Sequence, residues 1–391
     1  MITKTLLDKV LSNIKSGGLL VEYWDGKSVK YGPAKPYLKL IIKRPKAVRA
    51  IVKNMTLGFG ESYMRGDIDV EGPLDQIGRL VAENQSAFKK LAVNRVTKPR
   101  QANTKRSQAR QVQHHYDLGN DFYKLWLDKS MTYSCAYFKK PSDSLEKAQE
   151  QKVGHILRKL QLSKGQKLLD IGCGWGQLIF AAAENYGVRG HGITLSKQQL
   201  SHCKAEAKRR KLGKLVKFEL LNYQDLAMRK VSYDRIVSVG MFEHVGRNNH
   251  RSYYQAVKKM LIPGGISVLH TISNQVETTN DPWIDKYIFP GGYIPAIREV
   301  ISALPEFDFH LTDYESLRLH YAMTLDEWLR RFEKSVKKVS SMYDERFVRM
   351  WRMYLSMSSS GFRYNDLDLS QIVFTKGLNN SLPLTREHLY K

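Results

Sequence analysis

The chain has 391 residues, 42% of them hydrophobic, and its 63 Lys and Arg against 38 Asp and Glu give a formal net charge of +25. This length allows two domains or one large elaborated domain, with apolar content sufficient for proper cores, and no run approaches the roughly 18 apolar residues of a membrane-spanning helix. The N-terminus lacks the apolar core of a signal peptide, and three sparse cysteines (Cys135, Cys173 and Cys203) without metal-ligand spacing fit a reducing cytoplasm.

Residues 1–93 read as a smaller α+β unit. Helical spacing in Leu6, Leu7, Val10, Leu11 and Ile14 precedes strand-like runs at Leu19–Tyr23, Ser28–Tyr31 and Tyr37–Ile42. The hairpin signal Asp25-Gly26 joins the first two of these. The spacing of Leu74, Ile77, Leu80 and Val81 predicts a closing helix from about residue 74 to 92. No catalytic constellation occurs here, which points to lipid docking or another accessory role. Residues 94–113 then carry Arg95, Lys98, Arg100, Lys105, Arg106 and Arg110 among small polar residues, an exposed basic linker. The overall charge draws such a surface to polyanions, either nucleic acid or an anionic bilayer, unless it serves solubility alone.

From residue 114 to the end, strands and helices alternate. Strands are expected at Lys167–Ile171, Val188–Ile193, Val216–Leu220, Tyr233–Val239 and Ile266–Ile272, with helices at Gln177–Tyr186, Lys197–Arg210 and Asn249–Leu261 among them. This alternation predicts a doubly wound, mostly parallel sheet whose ligand lies outside the strands' carboxyl ends. The pattern breaks from about 274 to 365, expected to be a lid or substrate insertion.

The most informative stretch is Leu168-Leu169-Asp170-Ile171-Gly172-Cys173-Gly174-Trp175-Gly176, a strand passing through an acid into three alternating glycines and a helix. Such a turn lets backbone N–H groups approach a ligand. Its spacing is not that of a dinucleotide site, and an acid just before the turn favours a nucleoside carrying positive charge over a pyrophosphate. After the second strand, Thr194-Leu195-Ser196-Lys197-Gln198-Gln199 supplies no carboxylate for a ribose, although Thr194, Ser196 and Gln199 offer other polar groups. Helix capping is their plain alternative. Asn222-Tyr223-Gln224-Asp225 follows the third strand, and Glu243 and His244 follow the fourth.

These segments, with His114–Tyr123, Tyr133–Phe138, Leu269–Ile272 and Asp281–Pro290, occur in an order that resembles the cyclopropane-fatty-acyl-phospholipid synthases of the mycolic acid cyclopropane synthase superfamily. The resemblance covers the chain strongly from about residue 110 and more loosely before it. It implies a seven-stranded Rossmann-like methyltransferase sheet that uses S-adenosylmethionine. It further implies a cofactor pocket of Tyr133, Ser134, Asp170, Gly172, Gly174, Gly176, Thr194, Leu195, Ser196, Gln199, Tyr223 and Gln224. Cys135, Glu243, His270, the Ile272 backbone and Tyr321 would hold a bicarbonate ion. In that reading an alkene attacks the sulfonium methyl, and ring closure needs a base small enough to enter an apolar groove. Glu243 beside an anion is expected to have a raised pKa. Tyr321, Tyr137, Phe138, Trp283 and Tyr287 would stabilise the cation.

The implied partners are unsaturated phospholipid in an anionic membrane surface and a second copy of the chain. The enzyme would be cytoplasmic, peripheral to the inner face of the plasma membrane, without metal or nucleic acid. Residue types alone make Cys135 equally a small buried hydrophobe and His270 a satisfied core histidine. Tyr354–Arg363 holds no cysteine, which argues against a C-terminal thiol nucleophile. A nucleic-acid methyltransferase is the rival reading, yet Asn280-Asp281-Pro282-Trp283 lacks the second proline of the amino-methylase motif and follows the fifth strand. A lipid methyltransferase giving a methyl-branched or methylene product is the nearer rival.

Overall fold

The computed structural model describes residues 2–89 and 118–390, so the expected basic linker and His114–Asp117 lie outside the described residues. Two compact units emerge. The first comprises the described residues up to 89 together with Thr279–Pro290 and Leu325–Asp366; the second holds the rest.

In the first unit β1 (Leu19–Glu22), β2 (Ser28–Tyr31), β3 (Leu38–Ile42) and β4 (Ile68–Glu71) form one sheet in the order β2-β1-β3-β4. The β1–β2 hairpin turns at Gly26, whose φ of +78° is left-handed. The helix expected at 74–92 is instead two helices, Asp75–Glu83 and Gln85–Lys89. Its interruption has a cause at Asn84: the buried amide accepts from the backbone N–H groups of Lys15 and Ser16 and donates to the Ser16 carbonyl. Two helices, Pro45–Lys53 and Met55–Met64, and the short β4 were not legible in sequence. Gly58 and Gly60 obscure the second helix, and both are there for close packing. A Cβ at Gly60 would lie 2.3 Å from the Trp283 ring, and one at Gly58 would lie 2.1 Å from the Ala50 carbonyl oxygen.

The same contacts revise the expected insertion at 274–365. Trp283 packs beside Gly60, Lys286 pairs with Glu61, and Arg349 donates to the carbonyls of Tyr63 and Ile68 and to Asp69. Segments 279–290 and 325–366 therefore complete the core of the first unit. Phe309–Ser316, also within the expected insertion, is a strand of the main sheet.

In the second unit β5 (Lys167–Ile171), β6 (Arg189–Thr194), β7 (Val216–Leu220), β8 (Tyr233–Val239), β9 (Leu261–Asn274), β10 (Phe309–Ser316) and β11 (Leu367–Lys376) form a seven-stranded sheet. Its order is β10-β11-β9-β8-β5-β6-β7, parallel except for β11, which runs antiparallel to both neighbours. Side chains alternate between faces, so Leu168 packs with Ile156, Ile179 and Val268, while Leu169 packs with Tyr253, Val257 and Leu269. Helices cover both faces, as a parallel sheet requires. The chain turns from the β6–β7 side back to β8 across β5, which makes the β5–β8 boundary the topological switch point. β9 starts at Leu261, earlier than the expected Ile266, and runs fourteen residues.

Candidate active site

A cleft at the carboxyl ends of β5, β6 and β8 encloses about 1120 Å³ of space open to solvent. Tyr133, Ser134, Asp170, Gly172, Gly174, Thr194, Leu195, Gln199 and Tyr223, all expected from sequence, line it. The turn after β5 is held from below: the N–H groups of Gly172 and Cys173 both donate to the Ile193 carbonyl at 3.0 Å. Gly172 has φ +85°, and a Cβ there would press on the Met241 side chain at 2.8 Å. Trp175 donates its indole N–H to Asn120 at 3.0 Å, fastening the turn to the segment before helix Leu145–Leu160.

Three expected cofactor residues have other work. Gly176 starts helix Gln177–Tyr186, and a Cβ there would meet Phe180, Cys203 and Phe218 at 2.9–3.1 Å. Ser196 caps helix Lys197–Arg209 through the Gln199 N–H at 3.3 Å. Gln224 gives its backbone N–H to the capping Asn222 side chain. None of the three is among the lining residues. Thr194 meanwhile donates to Gln199 Oε1 at 2.7 Å and accepts from the Ser196 N–H, so its hydroxyl fixes the whole β6 turn.

Asp170 is 3% exposed with its Oδ1 unpartnered among the described residues. Burial pushes its pKa up to about 7 against the downward pull of Lys152. Lys152 lines the same cleft, 3% exposed, and burial drags its pKa down to about 8. Sequence reading missed it. The available signal was a lysine on the apolar face of helix Leu145–Leu160, beside Ala148, Val153 and Ile156.

Beyond the turn, Glu243 stands on the short 3₁₀ segment Phe242–His244 after β8, and its Oε1 accepts the Ile272 N–H at 2.6 Å. Its Oε2 is buried without a hydrogen-bond partner among the described residues, and burial raises its pKa, in the expected direction. His270 is wholly buried on β9 and takes the Gln371 amide N–H on Nδ1 at 3.1 Å. With the ring held neutral by burial, the proton then sits on Nε2, which is unpartnered among the described residues. His244 lines the cleft, its pKa lowered by burial to about 4.

Cys135 is fully buried, its thiol donates to the Ala136 carbonyl at 3.1 Å, and burial raises its pKa strongly. The irregular segment that carries it is tied to the helix that carries Tyr321: Ala136 N–H donates to Thr324 and Phe138 N–H to His320 Nδ1, each at 3.0 Å. Tyr321 is partly exposed in the first turn of that helix. Lys152 donates to the hydroxyl of Ser134, the residue before Cys135, at 3.0 Å. Three of the other aromatics expected beside a cation are already engaged. Tyr137 is stacked between His155 and His320 at 4.3 and 4.8 Å, Trp283 donates to Met64 Sδ, and Tyr287 donates to Glu61.

A parallel sheet of this order, with a glycine turn after its first strand and polar groups at the next three strand ends, is the fold of S-adenosylmethionine-dependent methyltransferases. The mycolic acid cyclopropane synthetase model matches residues 103–372, and a domain of unknown function matches residues 6–92. The chain belongs to the mycolic acid cyclopropane synthetase family and is an enzyme of the methyltransferase class. It is 39% identical to the cyclopropane-fatty-acyl-phospholipid synthase of Escherichia coli K12, over 88% of this chain and 90% of that one. It is 35% identical to a Pseudomonas putida protein named "Probable fatty acid methyltransferase", over 95% and 96%. A solved mycolic acid cyclopropane synthase, CmaA1 complexed with SAH and CTAB, is 33% identical with a TM-score of 0.65, covering 68% of this chain and 98% of its own.

Proposed function

We propose that this enzyme transfers a methylene unit from S-adenosylmethionine across the cis double bond of acyl chains in membrane phospholipids, producing cyclopropane fatty acids. The observation that carries the reading is the glycine-turn cleft at the strands' carboxyl ends, lined by His244, with the neighbouring Glu243 and, on β9, His270 buried and each keeping a polar atom unpartnered among the described residues.

The donor set fits the cofactor. Asp170 offers to positive charge a carboxylate oxygen unpartnered among the described residues, and Gly172 and Gly174 would let the backbone approach the ligand. When bound, S-adenosylmethionine supplies the methyl carbon as an electrophile. The alkene's π pair forms the new carbon–carbon bond as the carbon–sulfur bond breaks, leaving positive charge on the lipid. Closing the ring then requires loss of one proton from the transferred methyl group.

Glu243 Oε2 and His270 Nε2 are the buried polar atoms that would hold bicarbonate, which would supply the base. His270 donates from Nε2 to fix the anion's orientation. Glu243, whose burial favours the protonated form, accepts on Oε1 from Ile272 and has Oε2 to carry a proton onward. Cys135 contributes as an un-ionised S–H donor or as packing, since burial disfavours a thiolate.

Among the described residues no helix is long and apolar enough to cross a membrane. The net charge of +25 supports electrostatic attachment to the anionic inner leaflet, each basic residue near the surface contributing about 1 kcal/mol. In this proposal the enzyme is cytoplasmic and peripheral to the membrane, acts on lipid and not on nucleic acid, and pairs with a second copy of the chain as the family resemblance implies. The P. putida relative's name keeps a methyl-branched product as the second reading. Methyl-labelled cofactor offered to unsaturated phospholipid vesicles and to nucleic acid tests the substrate class. Label is expected in lipid; label confined to nucleic acid contradicts the proposal.

A further inference from the structure

We propose that Lys152 is the residue that binds the carboxylate of the cofactor's amino-acid portion; this rests on the assignment of the cleft to S-adenosylmethionine. The methionine end of that cofactor carries an ammonium and a carboxylate, and both must leave water when the cleft closes over them. A carboxylate buried without a cation or several donors is strongly disfavoured. Lys152 is the one lysine or arginine among the described residues that line the cleft, and Asp170 is the acid that lines it. One buried cation and one buried anion match a zwitterion's two charged groups.

The geometry keeps Lys152 ready for that role. It lies three residues after Gln149 on helix Leu145–Leu160, so the two side chains leave the same face. Gln149 donates to the Ser134 carbonyl at 2.9 Å, and Lys152 donates to the Ser134 hydroxyl at 3.0 Å. The loop leading there is itself fixed, because Asp128 accepts from the Ser130 and Thr132 N–H groups. An ammonium has three donors, and Ser134 takes one of them. A neutral amide would hold that hydroxyl without the cost of burying a charge. The remaining donors, in a residue that lines the cleft, are the feature that a purely structural role leaves unexplained.

Titration calorimetry with S-adenosylmethionine and with its decarboxylated form, which keeps the sulfonium and the amine, isolates the carboxylate. The wild-type chain is expected to prefer the intact cofactor by about tenfold or more, the effect of one charged hydrogen-bonded pair. In Lys152→Met that preference collapses to within about twofold, while the affinity for the decarboxylated form moves by less than about threefold. An unchanged preference in Lys152→Met overturns the proposal and assigns the carboxylate to the N–H groups of the glycine turn. An equal loss of both ligands also overturns it, since Lys152 then only supports the cleft. If the variant does not fold, equal affinity of the wild-type chain for the two ligands is sufficient refutation. A wild-type chain that binds neither refutes the cofactor assignment itself, and this proposal with it.

Discussion

Replacing Asp170 with asparagine separates what the site costs the fold from what it gives the ligand. Asp170 is buried at 3% exposure, and its pKa is pushed from 3.8 to about 7. Because the neutral form is favoured in the folded chain, the associated stability is complete below the unfolded value of 3.8. It falls as pH rises through the folded value and is fully lost just above about 7. A shift of about 3 units corresponds to about 4 kcal/mol. Part of this returns on mutation, since Lys152 loses a nearby opposite charge, leaving a net gain of about 1–3 kcal/mol. Thermal melts of cofactor-free wild type and Asp170→Asn, taken from about pH 4 to about pH 8, should therefore diverge with rising pH. The variant should melt several degrees higher at the alkaline end while binding S-adenosylmethionine about tenfold or more weakly. A pH-independent difference, or a less stable variant at pH 8, would refute the reasoning.

Other expectations concern the chemistry and the surface. Glu243→Gln keeps the oxygen that accepts from Ile272 but cannot relay a proton, so product formation should fall about a hundredfold or more with cofactor affinity unchanged. Bicarbonate-depleted buffer should slow the wild type likewise, and full rates in both cases would refute the proton path. Iodoacetamide at pH 8 should leave Cys135, Cys173 and Cys203 unmodified in the folded protein, since all three are buried, and label all three after denaturation. Rapid labelling of Cys135 in the native chain would contradict its position. Binding to anionic vesicles should weaken steeply between low and physiological salt as surface charge is screened; salt-independent binding would instead indicate insertion.

The second unit was largely legible because its signals are local. Alternating strand and helix periods, with glycine at 172, 174, 176 and 187, located β5 and the helix after it at their observed ends. Nine of the twelve expected cofactor residues line one cleft. The other three, Gly176, Ser196 and Gln224, do not line it and make packing and capping contacts, a difference in position that sequence order does not carry. Lys152 was hidden because a lysine in a helix is ordinarily solvated, and only the tertiary fold shows its ammonium buried. The first unit was read less well for a related reason. Its core is completed by segments more than two hundred residues away, as the Arg349 contacts to Tyr63 and Asp69 show. Glycines there mark close helix contacts, which local patterning reads as breaks.

The mass and unsaturation of the lipid product test the central claim most directly. Incubation with S-adenosylmethionine and vesicles of a cis-monounsaturated phospholipid should give an acyl chain heavier by one CH₂ that no longer reacts as an alkene. A chain that gains CH₂ and two further hydrogens, or gains CH₂ and still reacts as an alkene, would contradict cyclopropane formation.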